Sequence, residues 1–202
     1  MADSFPQPMR PSGFAGRIFG ALMNLSNAGC FRAARVRLAL TPNARVLEIG
    51  FGTGKLIEMF AADARNGFVA GVDPSPLMVE TARNRNRASK HVDLREGDAS
   101  LLPWDDGAFD AVAALHCWQF WDDPASCLAE IARVMRPGAC LLIILRDHSR
   151  NRDKLGWLPN PLSRTGDETD NLIATLDRSG FVRIKRDGKV GSSEIVTAYK
   201  AD

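Results

Sequence analysis

Seven consecutive residues, Glu48-Ile49-Gly50-Phe51-Gly52-Thr53-Gly54, constrain this chain more than any other feature. They follow a short β-rich run, Arg45–Gly50 (RVLEIG), and lead into a helical pattern over Lys55–Ala64. Glycines at alternate positions let the backbone turn sharply and approach a ligand closely. In an open α/β sheet, such a strand-to-helix turn lies beyond the carboxyl ends of the strands, where ligands bind. The plainer alternative is a tight βα connection with no ligand. Spacing separates the ligand classes. A phosphate-cradling P-loop needs G-x-x-x-x-G-K-[ST]. Lys55 follows Gly54, but Ile49 and Leu56 stand where the first glycine and the hydroxyl residue belong. A dinucleotide loop needs Gly or Ala at position 55, which is Lys. What remains is G-x-G-x-G with an acid, Glu48, two residues before the first glycine.

Around this loop, strand-like and helical patterns alternate. Gly67–Asp73 (GFVAGVD) reads as a strand, and Pro76–Arg87 as a helix with its proline in the first turn, where a missing N–H costs nothing. His91–Arg95, Phe109–His116 and Ala139–Arg146 read as strands, and Ala125–Met135 as a helix ended by Pro137-Gly138. Thr165-Gly166-Asp167-Glu168 resembles a capping box that opens a helix to Ser179, with Gly180 just past its end. Phe181–Arg186 and Ile195–Lys200 read as two strands joined through Gly188 and Gly191. Strands alternating with helices imply a parallel sheet, and strand interiors that are apolar without alternation imply cover on both faces. The short last connection suits an antiparallel hairpin at one edge. Upstream, residues 1–12 carry Pro6, Pro8 and Pro11 and read as an extended arm. Phe14, Ile18, Phe19, Leu22, Met23 and Leu25 recur at helical spacing, Gly29 is expected to break that helix, and Phe31–Leu40 to form a second.

Glu-x-Gly-x-Gly-x-Gly after a short strand resembles the first motif of the class I, S-adenosylmethionine-dependent methyltransferases. Gly71-Val72-Asp73-Pro74-Ser75 resembles that family's second motif, and Gly97-Asp98-Ala99 the segment after its third strand. Phe109-Asp110-Ala111-Val112 resembles strand four, and Ile131-Ala132-Arg133-Val134-Met135-Arg136-Pro137-Gly138-Ala139 the entry to strand five. The closest flavour is the compact methyltransferase type 11-like group acting on small molecules, which includes quinone and sterol methyltransferases. The resemblance covers about 43–200 and implies a Rossmann-like, doubly wound, seven-stranded, mostly parallel α/β sheet with an antiparallel C-terminal edge hairpin. On that division, 1–42 is an N-terminal arm and helical lid or packing segment, and 43–202 is the S-adenosylmethionine-binding domain.

The resemblance also implies roles. Gly50 and Gly52, with Phe51 and Gly54 in the same loop, approach the methionine and adenosine moieties. Glu48 acts near the methionine amino group. Asp73 accepts hydrogen bonds from both ribose hydroxyls, which an ionised acceptor strengthens roughly twofold. Asp98, with the Ala99 backbone beside it, accepts from the adenine amino group. Pro74 and Met78 flank adenine or ribose. Asp73 can equally be a helix cap, Asp98 a turn residue, and Met78 ordinary core.

The end of strand four, Leu115-His116-Cys117-Trp118-Gln119-Phe120-Trp121-Asp122-Asp123, faces the transferred methyl group in this family. It lacks the Asn- or Asp-Pro-Pro-aromatic motif of nucleic-acid amino-methyltransferases, so no DNA is expected, RNA is disfavoured, and a small-molecule acceptor is expected. His116 is a candidate general base, its ordinary pKa suiting proton removal at neutral pH, or else touches cofactor only through its backbone. His148, beside Asp147, is the second candidate. Trp118, Phe120 and Trp121 either line an apolar acceptor pocket or pack on the sheet. The N-terminal helix and the 149–164 loop, with Trp157 and Leu158, are expected to build a lid. Arg83, Arg85, Arg87, Lys90 and Arg95 form a basic cluster read as a solvated helix face, with an anionic partner as the alternative.

Composition excludes several other classes. A formal net charge of +2 argues for neither nucleic acid nor a membrane surface. Cys30, Cys117, Cys127 and Cys140 show neither zinc spacing nor a disulfide framework, so no metal is expected. The longest apolar run, Ala139–Leu145, is too short to span a membrane, and the N-terminus lacks a secretory pattern. These features lead to the expectation of a cytoplasmic protein, monomer or homodimer. Two rival readings remain: a cofactor-binding regulatory or scaffold protein without chemistry, and a nicotinamide-dependent oxidoreductase.

Overall fold

The computed structural model describes residues 27–146 and 168–202. A helix over 27–38 (α1) precedes β1 (Arg45–Ile49), α2 (Lys55–Asp63), β2 (Phe68–Asp73), α3 (Pro76–Arg85) and β3 (Val92–Glu96). Next come β4 (Phe109–Leu115), a 3-10 turn at Trp118–Phe120, α4 (Pro124–Val134) and β5 (Met135–Arg146). α5 (Glu168–Arg178), β6 (Phe181–Val190) and β7 (Ser193–Lys200) complete the order.

The strands form one seven-stranded sheet in the order β3-β2-β1-β4-β5-β7-β6. Pairing is parallel from β3 through β5, whereas β7 runs antiparallel to both β5 and β6. The chain winds outward from β1 to β3, then crosses back to lay β4 against the other side of β1. That reversal is the topological switch point, where the flanking connections diverge and leave a crevice at the strand ends.

Strand side chains alternate between two cores, one on each sheet face. Leu47, Ile49, Val112, Ala114, Leu141 and Ile143 share one core with Leu128 and Ile131 of α4 and Leu172 and Leu176 of α5. Val46, Ala111, Ala113, Leu142 and Ile144 share the other with Ala33 and Ala34 of α1, Leu56, Ile57 and Phe60 of α2, and Val79 and Ala82 of α3. This double burial explains why the central strands read as continuous apolar runs.

Three local expectations need correction. Gly29 does not break a helix; α1 runs through it, and a side chain there would meet Val190 Cγ1 at 2.9 Å. Glycine is needed for close approach to β6, not for a turn. Pro137-Gly138 does not lie between helix and strand. α4 ends at Val134 and β5 begins at Met135, which pairs with Phe109 before the register shifts to Ala111 opposite Cys140. The Pro-Gly pair occupies that irregularity, where a ladder hydrogen bond is already lost, and Gly138 has φ 72°. The third strand is displaced by one residue, to Val92–Glu96. Thr165, Gly166 and Asp167 lie outside the described residues, while Gly180 closes α5 with φ 81°.

Candidate cofactor site

The carboxyl ends of β1, β2 and β4 converge on the glycine loop. Gly50, Gly52 and Gly54 all have positive φ, at 69°, 52° and 71°. Their N–H groups are committed internally: Gly50 donates to Val72 O at 2.8 Å, Gly52 to Asp73 Oδ2 at 2.8 Å and Gly54 to Phe51 O at 2.9 Å. The three glycines differ in what surrounds them. A Cβ at 50 would meet Cys117 Cβ at 2.9 Å, and one at 54 would meet Ala82 Cβ at 2.6 Å. A Cβ at 52 would meet nothing within 4 Å, so this glycine turns its bare side to open space.

Asp73 ends β2 and is buried. Its second oxygen, Oδ1, accepts from Ser75 N–H at 2.9 Å, and Ser75 in turn caps α3 by accepting from Met78 N–H. Burial pushes the Asp73 carboxyl up to about 6, against the opposing pull of the Ser75 and Gly52 N–H donors. Glu48, on β1, is buried too, and its Oε2 has no hydrogen-bond partner. Burial holds Glu48 well above the ordinary carboxylate range, Asp73 adds to this, and the Ile57 N–H in the first turn of α2 opposes it. Two enclosed acids side by side favour a positively charged ligand, because a cation relieves both desolvation and mutual repulsion.

The remaining expected contacts fall into distinct places. Gly97 N–H donates to Asp73 O at 3.2 Å, so the segment carrying Asp98 is joined to the end of β2. Asp98 is exposed and accepts from Ser100 N–H at 2.9 Å, an Asx turn. Ala99 is buried in the first core, and Pro74 is half-buried. Met78 is buried yet belongs to neither core cluster. The Phe51 ring lies in the second core, close to Gly71, so only its backbone is left for the loop's outer side.

β4 stops at Leu115, one residue short of the expected end, and His116 just past it is in the left-handed region, φ 55°, an uncommon conformation for a side-chain-bearing residue. Its N–H donates to Ile144 O at 2.8 Å and its carbonyl accepts from Gln119 Nε2 at 2.8 Å; both ring nitrogens are buried. Trp118 and Trp121 belong to the core with α4 and meet edge to face at 5.3 Å between centroids. Of the three aromatics only Phe120 is half-exposed and outside both cores. His148, Asp147, the expected loop over 149–164 and the expected helix over Phe14 to Met23 lie outside the described residues.

Cys117 was not singled out by its sequence context, yet it lies against Gly50, and its thiol donates to Ile49 O at 3.4 Å. Burial raises the Cys117 thiol, with Glu48 and Asp73 adding to the effect. Three of the five basic residues are used internally: Arg83 donates to Leu94 O, Arg85 to Thr53 O and Arg95 to Asp93 and Pro103 O, while Arg87 and Lys90 are exposed.

Residues 47–143, which hold every described element of this crevice, match the family model described as a methyltransferase domain. The chain carries a class I, S-adenosylmethionine-dependent methyltransferase domain. It is 36% identical over 132 residues to an uncharacterized methyltransferase of Mycobacterium tuberculosis, covering 64% of this chain and 51% of that one. It is 35% identical over 129 residues to a demethylmenaquinone methyltransferase of Tropheryma whipplei, covering 62% and 52%. The chain therefore spans about half the length of these curated relatives. A crystal structure of an S-adenosylmethionine-dependent methyltransferase from Aquifex aeolicus superposes with a TM-score of 0.73 at 23% identity, over 85% of this chain and 89% of that one, which shows the shared methyltransferase fold. Among the described residues, no helix of this methyltransferase domain is long and apolar enough to cross a membrane.

Proposed function

We propose that this chain transfers the methyl group of S-adenosylmethionine to an oxygen, nitrogen or carbon nucleophile of a small molecule. The observation that carries the reading is the bond from Gly52 N–H to Asp73 Oδ2, which joins the glycine loop to the acid at the end of β2. Asp73 keeps lone pairs beyond its two backbone donors, enough to accept from a pair of neighbouring hydroxyls. The unpartnered, buried Glu48 oxygen fits an ammonium group, and the open side of Gly52 fits a ligand that a side chain would displace.

The cofactor supplies a methyl group on a positively charged sulfur, electrophilic without further activation. What the chain must do is hold, align and exclude water; alignment of this kind accounts for on the order of 7–11 kcal/mol in well-oriented reactions. Gly50, Gly52 and Gly54, with the Phe51 backbone, shape the cradle. Glu48 and Asp73 provide its negative charge. Pro74, Met78, Asp98 and Ala99 bound the nucleoside end. His116 contributes its backbone at the methyl end. If the acceptor is a hydroxyl or carbon acid, His116 or His148 takes its proton; a neutral amine needs no such base. Residues 43–202 bind cofactor on this reading, and 1–42 contributes cover and packing. The small-molecule class is supported by the missing Asn- or Asp-Pro-Pro-aromatic motif and by the demethylmenaquinone methyltransferase among the relatives.

Calorimetric titration with S-adenosylmethionine, S-adenosylhomocysteine and nicotinamide cofactors in parallel tests this. Micromolar binding of the first two alone, followed by transfer of labelled methyl in an acceptor screen, is the expected result. Cofactor binding without turnover on any acceptor would support the regulatory reading, and nicotinamide binding the oxidoreductase.

A further inference from the structure

The glycine loop is braced from behind by two neighbours at the end of α3. Arg85 Nε donates to Thr53 O at 2.9 Å, and its guanidinium also reaches Glu58 of α2 at 3.3 Å. Asn86, the C-terminal cap of α3, is buried; its Nδ2 donates to Gly54 O at 3.2 Å and to Ala82 O at 2.9 Å. Gly54 O also accepts the first intrahelical bond of α2, from Glu58 N at 3.1 Å. The amide of Asn86 therefore holds the carbonyl at which loop becomes helix.

This contact carries a cost. Asn86 Oδ1 is buried with no hydrogen-bond partner. An orphaned buried acceptor is unfavourable, and an apolar side chain of similar size would avoid it. A residue serving only to cap α3 gains little from such burial, because the Asn86 backbone N–H already closes the helix on Ala82 O at 3.0 Å. The amide is explained by what its two donors do together: they tie α3 to the loop. The other end of α3 reaches the same loop through Ser75, Asp73 and Gly52. The helix thus spans the loop, anchoring Gly52 from its start and Thr53-Gly54 from its end.

We infer that Arg85 and Asn86 are positioning residues that hold the Gly50–Gly54 loop in its cofactor-binding shape. The inference rests on reading that loop as the S-adenosylmethionine cradle. Neither residue reaches the open side of Gly52, so each acts through the loop. The loop's three positive-φ glycines leave it little intrinsic preference for this conformation, and the two carbonyl anchors supply it.

The test uses the full chain and Asn86→Leu, Asn86→Asp and Arg85→Ala, with three readouts: thermal midpoint, amide hydrogen exchange across 50–58 without cofactor, and calorimetric affinity for S-adenosylmethionine. Asn86→Leu is expected to keep its midpoint, because the orphaned acceptor goes with the amide. It is expected to speed exchange at the Gly52, Gly54 and Glu58 amides and to weaken cofactor binding at least tenfold. Arg85→Ala is expected to act in the same direction, by about threefold. Asn86→Asp can donate to Gly54 O only when protonated, so its affinity relative to the unaltered chain should recover as pH falls. A lowered midpoint with unchanged affinity and unchanged loop exchange would show Asn86 to be a helix cap only and overturn the inference. A flat titration with the unaltered chain would instead refute the cofactor reading. The exchange data would then decide the brace alone: faster loop exchange in Asn86→Leu supports it, and unchanged exchange overturns it.

Discussion

Asp73 Oδ2 accepts the Gly52 N–H at 2.8 Å, so the acid that ends β2 is fastened to the middle of the loop that follows β1. One side chain therefore does two jobs: it shapes the loop and faces the nucleoside end of the proposed site. Asp73→Ala removes both. Cofactor affinity is expected to fall at least tenfold, since charge-assisted hydrogen bonds are worth about 1.5–3 kcal/mol each. Calorimetric titration checks this, and an unaltered affinity would remove Asp73 from the site.

The elevated Asp73 carboxyl makes both stability and binding depend on pH, with opposite signs. Burial raises it from 3.8 to about 6, so the folded protein holds this proton more tightly than the unfolded chain does. Its contribution to stability without cofactor is full below pH ~4 and is lost as pH rises through about 6. Binding of a cation by an ionised Asp73 strengthens over the same interval. Glu48, held well above the ordinary carboxylate range by burial with Asp73 adding to it, acts in the same direction on both. Cofactor affinity measured from pH 5 to 7.5 should climb, and Asp73→Asn, which cannot ionise, should flatten the part of the climb centred near 6.

Alanine at the loop glycines should separate packing from ligand space. Gly54→Ala meets both the left-handed backbone cost and overlap with Ala82, together about 3 kcal/mol and a fall of roughly 6–12 °C in Tm. Gly52→Ala meets only the backbone cost, about 1–2 kcal/mol, because its Cβ points into open space. It should fold, with a Tm lower by roughly 2–8 °C, and lose at least tenfold in cofactor affinity. Scanning calorimetry beside titration reads both; intact affinity in Gly52→Ala would mean the ligand lies elsewhere.

At His116 the buried ring nitrogens and the left-handed backbone point to a role for the main chain. His116→Ala should bind cofactor within about threefold of the unaltered chain, a difference under ~1 kcal/mol. Turnover, once an acceptor is found, should fall less than tenfold. A loss on the order of 100-fold or more in kcat with binding intact is the size expected of a general base and would assign that role to the ring.

The alternation of elements, the parallel sheet and the loop at the end of β1 were legible in the sequence because they depend on near neighbours. Apolar runs of strand length, Pro76 in a helix's first turn and glycines at alternate positions each act within a few residues. The acids Glu48 and Asp73 were legible through their place at strand ends. Gly29 looks like a helix breaker in sequence because its partner, Val190, is distant, and a glycine needed for close packing looks the same as one that ends a helix. The sequence around Trp118 and Trp121 suits pocket and core alike for a related reason: an aromatic run does not say which face is covered, and in the structure both join the core shared with α4.

What the sequence determined by itself is the identity of the loop and the layered α/β plan, since short-range φ preferences and hydrophobic spacing are properties of the local chain. The tertiary structure alone decided that β7 inserts between β5 and β6, that Cys117 backs Gly50, and that Asn86 and Arg85 hold the carbonyls of Gly54 and Thr53. Each of these joins residues far apart in the chain. Such contacts follow from how sheet faces and helix ends pack, and no local pattern encodes which distant residue will be opposite.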